Sequence, residues 1–220
     1  MPRTPTVRRG GPSTFTLVAV VVLVLFAGAV GFGVYRAQAG AGGDLPAGAT
    51  AAGVAVGDPN APATIDLYLD FQCPACRQYE QQVGSTIDQL VTSGQARVVY
   101  HPVAYLNRFS STQYSSRSSA AAGCAADAGV LPRFAQLLYA NQPAEGAAGL
   151  PDDQLVALGR QAGAGDEFAG CVQEGTYAGW TRSVTDAASQ AGVTATPTVL
   201  VNGREVDHTA DALRAAVAGG

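Results

Sequence analysis

Lysine is absent from this chain of 220 residues, so arginine supplies all of its positive side chains. All seventeen acidic residues lie after Arg36, against nine arginines there, which gives this part of the chain a formal charge of about −8. Such an excess of negative charge argues against nucleic-acid binding. Methionine is also scarce: Met1 is the only one, which argues against a copper site built from thioether ligands.

A single long apolar run stands near the N-terminus. Residues 15–34 contain no charged side chain and are rich in valine, leucine, alanine and phenylalanine. This is about the length that is needed to cross the hydrocarbon core of a membrane. Three arginines precede the run and only Arg36 closely follows it, so the positive-inside rule places residues 1–14 in the cytoplasm and the rest outside. We predict a retained membrane anchor, and the small residues at 37–39 leave a cleaved signal peptide as the alternative.

Residues 35–53 consist largely of glycine and alanine and show no hydrophobic periodicity. Such a composition is typical of a flexible linker. The remaining residues, 54–220, are numerous enough for one domain with a substantial core. We therefore predict a cytoplasmic N-terminus, one membrane-spanning helix, a linker and one exported domain.

Strand patterns and helix patterns are both present in the exported domain, which predicts an α/β fold. The turn Asn202-Gly203 between two apolar strands is typical of a type I′ hairpin. Most of residues 112–190 has helical periodicity, and Gly94 is predicted to end the helix that follows the first strand. Strands are predicted at 63–71, 96–103, 198–201 and 204–206, and further helices at 116–128, 132–139, 151–161, 167–174, 177–190 and 210–217.

The sequence Cys73-Pro74-Ala75-Cys76 follows directly after the first predicted strand and opens a predicted helix. A cysteine at a helix start is favoured as a thiolate, because unpaired backbone N–H groups and the positive end of the helix dipole lie close to its sulfur. Pro74 suits the first helical position. Cys73 is therefore the predicted nucleophile, and Cys76, one turn inside the helix, is the predicted resolving thiol.

Two other interpretations of this cysteine pair are a zinc site and a purely structural disulfide. Zinc would need two further ligands, and Cys124, Cys171 and the two histidines form no second short-spaced pair. A structural disulfide across such a short loop would constrain the unfolded chain only weakly. Redox chemistry is the interpretation that the position between strand and helix favours.

Three segments carry a resemblance to a known family: Asp70-Phe71-Gln72-Cys73-Pro74-Ala75-Cys76, the upstream residues 57–62, and Thr194-Ala195-Thr196-Pro197-Thr198. Together they resemble the DsbA-like thiol:disulfide oxidoreductases of the thioredoxin superfamily, over residues from about 54 to the C-terminus. The resemblance implies a thioredoxin-like fold with a helical insertion at about 112–190. It also implies a cis Thr196-Pro197 bond at the floor of the active site, against the alternative of a trans proline that opens an edge strand.

One position departs from the family pattern. Thioredoxin-like enzymes often have a buried acid six residues before the first cysteine, and Leu67 stands there in this chain. Asp66 is adjacent, but strand alternation places it on the opposite face. Asp70 matches an acid found in many members of the subfamily, which suggests a proton-relay role, with a solvated residue at the strand end as the alternative. His101 is expected to be structural.

The second pair of cysteines lies in two predicted helices of the insertion. With Cys73 and Cys76 paired to each other, Cys124 and Cys171 are left as partners, and some family members carry such a second bond. A disulfide across these 47 residues would act as a structural staple. A catalytic relay through it is the alternative.

The resemblance implies an enzyme that exchanges disulfides with proteins or peptides carrying free thiols. The N-terminal apolar run places this enzyme outside the cytoplasm, so its expected substrates are exported proteins. No metal or organic cofactor is required. We expect the enzyme to form disulfides and to be recycled by a membrane quinone-linked thiol oxidase of the DsbB or vitamin K epoxide reductase type. A reductase or isomerase of the same fold is the nearest alternative, and an envelope copper chaperone or binding module is the non-enzymatic one.

Overall fold

Five strands form one mixed sheet at the centre of the computed structural model, which describes residues 45–219. The strands are β1 (Val54–Val56), β2 (Ala63–Leu69), β3 (Ala96–Pro102), β4 (Thr198–Val201) and β5 (Arg204–Glu205). Their order across the sheet is β1-β3-β2-β4-β5. Strands β2 and β3 run parallel, and every other neighbouring pair is antiparallel.

Strand β2 lies at the middle of this sheet, and its residues alternate between buried and half-buried positions. Ala63, Ile65, Leu67 and Leu69 are buried, while the three residues between them are only half-buried. The strand ends at Leu69 instead of at the predicted residue 71. The chain leaves the sheet there because the next residues form a hydrogen-bonded turn that leads into the first helix.

Seven α-helices and one short 3₁₀ helix, Asn107–Phe109, are present within residues 45–219. The α-helices are α1 (Pro74–Thr92), α2 (Tyr114–Asp127), α3 (Leu131–Ala140), α4 (Asp152–Ala162), α5 (Glu167–Glu174), α6 (Ala178–Gln190) and α7 (Ala210–Ala218). Helices α2 to α6 occupy the chain between β3 and β4. The predicted α/β fold with a helical insertion is therefore confirmed.

Helix α1 ends where the sequence predicts. Gly94 has a positive φ of 71°, its N–H donates to Val91 O, and Gln95 N–H donates to Leu90 O. This pair of bonds satisfies the last carbonyl groups of the helix, in the arrangement known as the Schellman motif. The predicted hairpin turn is also present, since Asn202 and Gly203 both have positive φ.

Residues 45–53 correct the prediction of a flexible linker that reaches residue 53. Trp180 Nε1 donates to Thr50 O (2.8 Å), and the Ala47 N–H donates to a carboxylate oxygen of Asp127 (2.6 Å). Gly53 lies so close to β3 that a side chain would collide with Tyr100 O. The segment is held by the domain because its backbone groups bond to distant side chains, which its glycine and alanine content does not reveal.

The rest of the predicted N-terminal organisation lies outside the described residues. This holds for the cytoplasmic residues 1–14, the membrane helix at 15–34 and the first part of the linker. Between residues 45 and 219, no helix has both the length and the apolar character that crossing a membrane requires.

A disulfide between Cys124 and Cys171 joins α2 to α5 across the insertion. Replacing both residues, Cys124→Ala with Cys171→Ala, should lower the free energy of unfolding by up to about 4 kcal/mol, because the unfolded chain regains the freedom of a long loop. Urea unfolding of the variant beside the unaltered protein measures this loss. An unchanged free energy of unfolding would show that the bond is not a staple.

Candidate active site

Cys73 lies at the junction between the turn after β2 and the start of α1. It is the N-cap residue, with extended backbone angles (φ −75°, ψ 119°), and Pro74 takes the first helical position as predicted. The Cys73 N–H donates to Asp70 O (2.9 Å), which closes the turn, and Cys73 O accepts from Arg77 N–H (3.2 Å), which begins the helix. The Cys73 sulfur therefore extends from the helix terminus at which backbone N–H groups are left unpaired.

Cys73 and Cys76 are free thiols, and both are buried. The Cys73 thiol has a pKa lowered to about 5, above all by a hydrogen bond from the Cys76 thiol. The Thr196 side chain and the backbone N–H groups of Cys76 and Ala75 lower the same pKa further, while burial opposes them. Because the thiolate is the reactive form in disulfide exchange, Cys73 has the properties of a nucleophile.

The Cys76 thiol has the opposite character. Burial, followed by the hydrogen bond to Cys73 and the charge on it, raises the pKa of Cys76 well above its usual value. Near neutral pH the pair therefore consists of one thiolate and one protonated thiol that donates to it. This is the division of roles that the sequence predicts from the two positions.

The Thr196-Pro197 peptide bond is cis, as the resemblance implies. It directly precedes β4, which pairs with β2, so the sheet brings this bond beside the two thiols. Cys73 Sγ lies 3.3 Å from Thr196 O, to which its protonated thiol can donate. Pro197 lines a narrow cavity together with Cys76. Pro74 and Ala75 are exposed next to the buried thiols.

Asp70 is fully buried, which overturns the alternative of a solvated residue at the strand end. Its carboxylate accepts hydrogen bonds from Gln72 N–H (2.9 Å), Leu106 N–H (2.9 Å) and the Ser115 hydroxyl (2.8 Å). Burial raises the pKa of Asp70 to about 6, although these three donors favour its charged form. Asp70 thus joins the turn at Cys73 to the loop after β3 and to α2, and a proton-relay role for it stays a prediction.

Side chains from the insertion complete the support of the turn, and sequence analysis missed them. Gln142 Nε2 donates to both Phe71 O and Cys73 O (2.9 Å each). The Tyr139 hydroxyl donates to Asp70 O (3.3 Å). Gln142 and Tyr139 are about 70 residues from the turn along the chain, so no local pattern could have revealed them.

The remaining residues that the sequence drew attention to have structural roles. Leu67 is buried and Asp66 lies on the other face, as predicted. The His101 ring stacks on Tyr68, and its nitrogens lie 2.7 Å from Ala52 O and 3.0 Å from Asp66 Oδ1. The disulfide between the other two cysteines leaves neither of them available to complete a zinc site with the thiol pair.

Comparison with known proteins supports the interpretation of this geometry. A protein-family model described as thioredoxin matches residues 49–218. The chain belongs to the thioredoxin family. Within it, the disulfide bond oxidoreductase DsbG of Mycobacterium tuberculosis in its reduced form is 36% identical, with a TM-score of 0.65 over 74% of this chain and 82% of that protein. Oxidised DsbA from the same species is 34% identical, with a TM-score of 0.66 over 78% of this chain and 89% of that one.

One more distant structure agrees with the fold, and one curated protein matches part of the chain in sequence. MdbA, a thiol-disulfide oxidoreductase from Actinomyces oris, is 21% identical, with a TM-score of 0.67 over 81% of this chain and 93% of that protein. The serine/threonine-protein kinase PknE of Mycobacterium tuberculosis is 34% identical over 158 residues, which are 68% of this chain but 28% of the kinase. The chain therefore spans about a quarter of the kinase's length. The thiol pair and the similarity to the mycobacterial structures together identify this protein as a DsbA-like thiol-disulfide oxidoreductase.

The hydrogen bond from Cys76 should account for much of the low pKa of Cys73. Removing it with Cys76→Ala should raise the pKa of Cys73 by about one to two units, because a hydrogen bond to a charged group contributes about 1.5–3 kcal/mol. Titration of the thiolate absorbance in the ultraviolet measures this shift. Cys76→Ser is the matched control, since its hydroxyl can still donate. A Cys76→Ala enzyme with an unchanged pKa would contradict the assignment.

The Ser115 hydroxyl should stabilise the buried carboxylate in a way that depends on pH. The pKa of Asp70 is raised on folding, so the stability that this group contributes is greatest at low pH and is lost as the pH rises through about 6. The Ser115 hydroxyl opposes this rise in pKa because it favours the charged form of Asp70. Ser115→Ala should lower the free energy of unfolding by about 1.5–3 kcal/mol at pH values above 6, and by less when Asp70 is protonated.

Urea unfolding at mildly acidic and mildly alkaline pH tests this prediction. Ser118→Ala is the matched control, because the equally buried Ser118 hydroxyl donates to Tyr114 O within its own helix. We expect the control's loss of stability to be independent of pH. Equal losses at both pH values for Ser115→Ala would show that its hydroxyl does not stabilise the charged form of Asp70.

Proposed function

We propose that this oxidoreductase forms disulfides in exported proteins outside the cytoplasmic membrane. The observation that carries the proposal is the low pKa of Cys73. Only the reduced enzyme contains a Cys73 thiolate, so every contact that stabilises the thiolate stabilises the reduced state. An enzyme whose reduced state is stabilised is a stronger oxidant.

The size of this effect follows from the change in pKa. A thiol whose pKa falls from 9.0 to about 5 is almost entirely ionised at pH 7. This ionisation stabilises the reduced enzyme by about 3 kcal/mol at that pH. For a two-electron couple, such a free energy raises the reduction potential by about 60 mV.

The reaction proceeds by two exchanges. A substrate thiolate attacks the Cys73 sulfur of the oxidised enzyme, the bond between Cys73 and Cys76 breaks, and a mixed disulfide forms. A second substrate thiolate then attacks the substrate sulfur of that mixed disulfide, and Cys73 leaves as a thiolate. The substrate has lost two electrons to the enzyme, which now contains two reduced cysteines.

The exposed positions around the thiols suggest how a substrate would bind. Pro74 and Ala75 lie at the surface beside Cys73. Neither the Cys73 thiolate nor Cys73 in a disulfide has a proton to donate to Thr196 O, so this carbonyl is available to a substrate N–H. An extended substrate backbone would pair beside Pro197 in this way, with little dependence on its side chains.

Two features of the chain other than the thiol pair support a location outside the cytoplasm. A disulfide within the insertion suits an oxidising compartment, and the apolar run at residues 15–34 suits an anchor in the cell membrane. Continued turnover requires an oxidant for the reduced enzyme. We propose a membrane quinone-linked thiol oxidase of the DsbB or vitamin K epoxide reductase type for this step.

The reduction potential of the Cys73/Cys76 couple tests the direction of electron flow. Equilibrated against glutathione, the purified enzyme should have a potential above about −180 mV. The potential should fall by about 30 mV per pH unit above pH 5, where one proton accompanies two electrons, and by about 59 mV per unit below it. The change of slope follows from the ionisation of Cys73.

A Cys73→Ala, Cys76→Ala double variant is the control, because any signal that it gives comes from the other disulfide. A potential near −270 mV, as in thioredoxin, would contradict the oxidase role and assign the enzyme to the reductases.

A further inference from the structure

The carbonyl groups of the turn that carries Cys73 are held by one short segment of the insertion. Tyr139, in the last turn of α3, donates from its hydroxyl to Asp70 O (3.3 Å), and its ring lies against that of Phe71, with 5.4 Å between the ring centroids. Gln142, two residues after α3, donates from Nε2 to Phe71 O and Cys73 O (2.9 Å each). One side chain therefore holds two carbonyl groups of the turn.

Gln142 is itself held in place by its neighbours. Its N–H donates to Tyr139 O (3.2 Å), which continues the hydrogen bonding of α3 beyond the end of the helix. The next residue is Pro143, and a residue before proline is restricted mainly to extended backbone angles. The amide nitrogen of Gln142 must face the turn, because carbonyl oxygens accept hydrogen bonds only from a donor.

Asp70 and Gln142 hold opposite ends of the same backbone segment. The peptide group that follows Phe71 donates its N–H to the Asp70 carboxylate, and its carbonyl accepts from Gln142. Cys73 likewise donates its N–H to Asp70 O, while its carbonyl accepts from Gln142. With both ends bound, the backbone of Cys73 is fixed, and its sulfur can move only by rotation of the side chain.

The position of the Cys73 backbone decides which groups its sulfur faces. The backbone N–H groups of Ala75 and Cys76, at the start of α1, favour the thiolate form of Cys73. A hydrogen bond of this kind weakens steeply when its angle or its length departs from the preferred range. A small rotation of the turn would therefore remove part of this stabilisation while the helix itself stayed intact.

We propose that Gln142 is a positioning residue for the exchange reaction: it holds the Cys73 backbone so that the sulfur stays against the N–H groups at the start of α1. Gln142 acts through the carbonyl groups of the turn and not on the sulfur itself. The inference rests on the exchange at Cys73 that is proposed above. It adds that the helical insertion sets the reactivity of a cysteine that lies outside it.

Gln142→Met removes the donor and keeps an unbranched side chain that fills the same space. The pKa of Cys73 should rise by about half to one unit, the shift that corresponds to the loss of one ordinary hydrogen bond. Since only the reduced enzyme contains the thiolate, the equilibrium with glutathione at pH 7 should also shift about 3- to 10-fold towards the oxidised enzyme. Titration of the thiolate absorbance and equilibration with glutathione measure these two changes.

Gln136→Met is the matched control. Gln136, in α3, is also half-buried, and its amide donates to Asp88 near the far end of α1 (2.7 Å). Both glutamines thus join the insertion to the segment that begins with the redox turn, but only Gln142 reaches Cys73. The control should leave the pKa of Cys73 and the glutathione equilibrium as they are. If Gln142→Met also leaves both unchanged, whatever its effect on stability, the proposal is overturned.

Gln142→Asn keeps the test decisive if Gln142→Met folds poorly. It retains the amide group but withdraws it by one methylene, so the donor no longer reaches the two carbonyl oxygens. We expect the pKa of Cys73 to rise in this variant as well. A pKa that stays at about 5 would contradict a positioning role for Gln142.

The failure of this inference can be told apart from a failure of the proposed oxidase role. The oxidase role depends on the absolute potential of the unaltered protein, whereas the positioning role depends on the difference between that protein and Gln142→Met. A strongly negative potential together with a raised pKa in the variant would reject the oxidase role alone. A high potential with no difference between the two proteins would reject the positioning role alone.

Discussion

The buried carboxylate of Asp70 is the interaction on which the arrangement of the active site depends. It accepts hydrogen bonds from the redox turn, from the loop after β3 and from α2, three segments that are distant in sequence. A buried carboxylate is unfavourable unless such donors surround it. The donors must therefore stay in place, and the turn that carries Cys73 is held in the geometry that gives this cysteine its low pKa.

The two thiols and the nearby Asp70 form a single electrostatic system. Cys73 holds a negative charge because Cys76 donates a hydrogen bond to it, and that same bond makes Cys76 harder to ionise. Burial raises the pKa of Asp70, and the charge on Cys73 raises it further. Of the two thiols, Cys73 is therefore the one that ionises, and Cys76 stays protonated.

Local patterns in the sequence were sufficient to predict most of the fold. The alternation in β2, the glycine after α1 and the Asn202-Gly203 turn each depend on neighbouring residues, and each is present in the structure. The thiol pair could be predicted for the same reason, since its chemistry follows from one strand end and one helix start. Prediction of the cis proline also needed the family resemblance. Prediction of the second disulfide also needed elimination, because the pairing of Cys73 with Cys76 leaves only two cysteines.

Features that depend on distant contacts were predicted wrongly or not at all. Residues 45–53 have the composition of a linker, and only Trp180 and other distant groups show why they are held. The sequence did not decide whether Asp70 is solvated or buried, because its donors Ser115 and Leu106 are distant from it along the chain.

The two hydrogen bonds of Gln142 connect the helical insertion to the turn that carries Cys73. Its side-chain amide, two residues after the end of α3, donates to the carbonyl groups of Phe71 and Cys73. A shortened protein without the insertion would leave both carbonyl groups without this donor, and the Asp70 carboxylate without Ser115. The inserted helices are therefore not a detachable module added to an independent redox domain, and the insertion and the turn are expected to have evolved under a shared constraint.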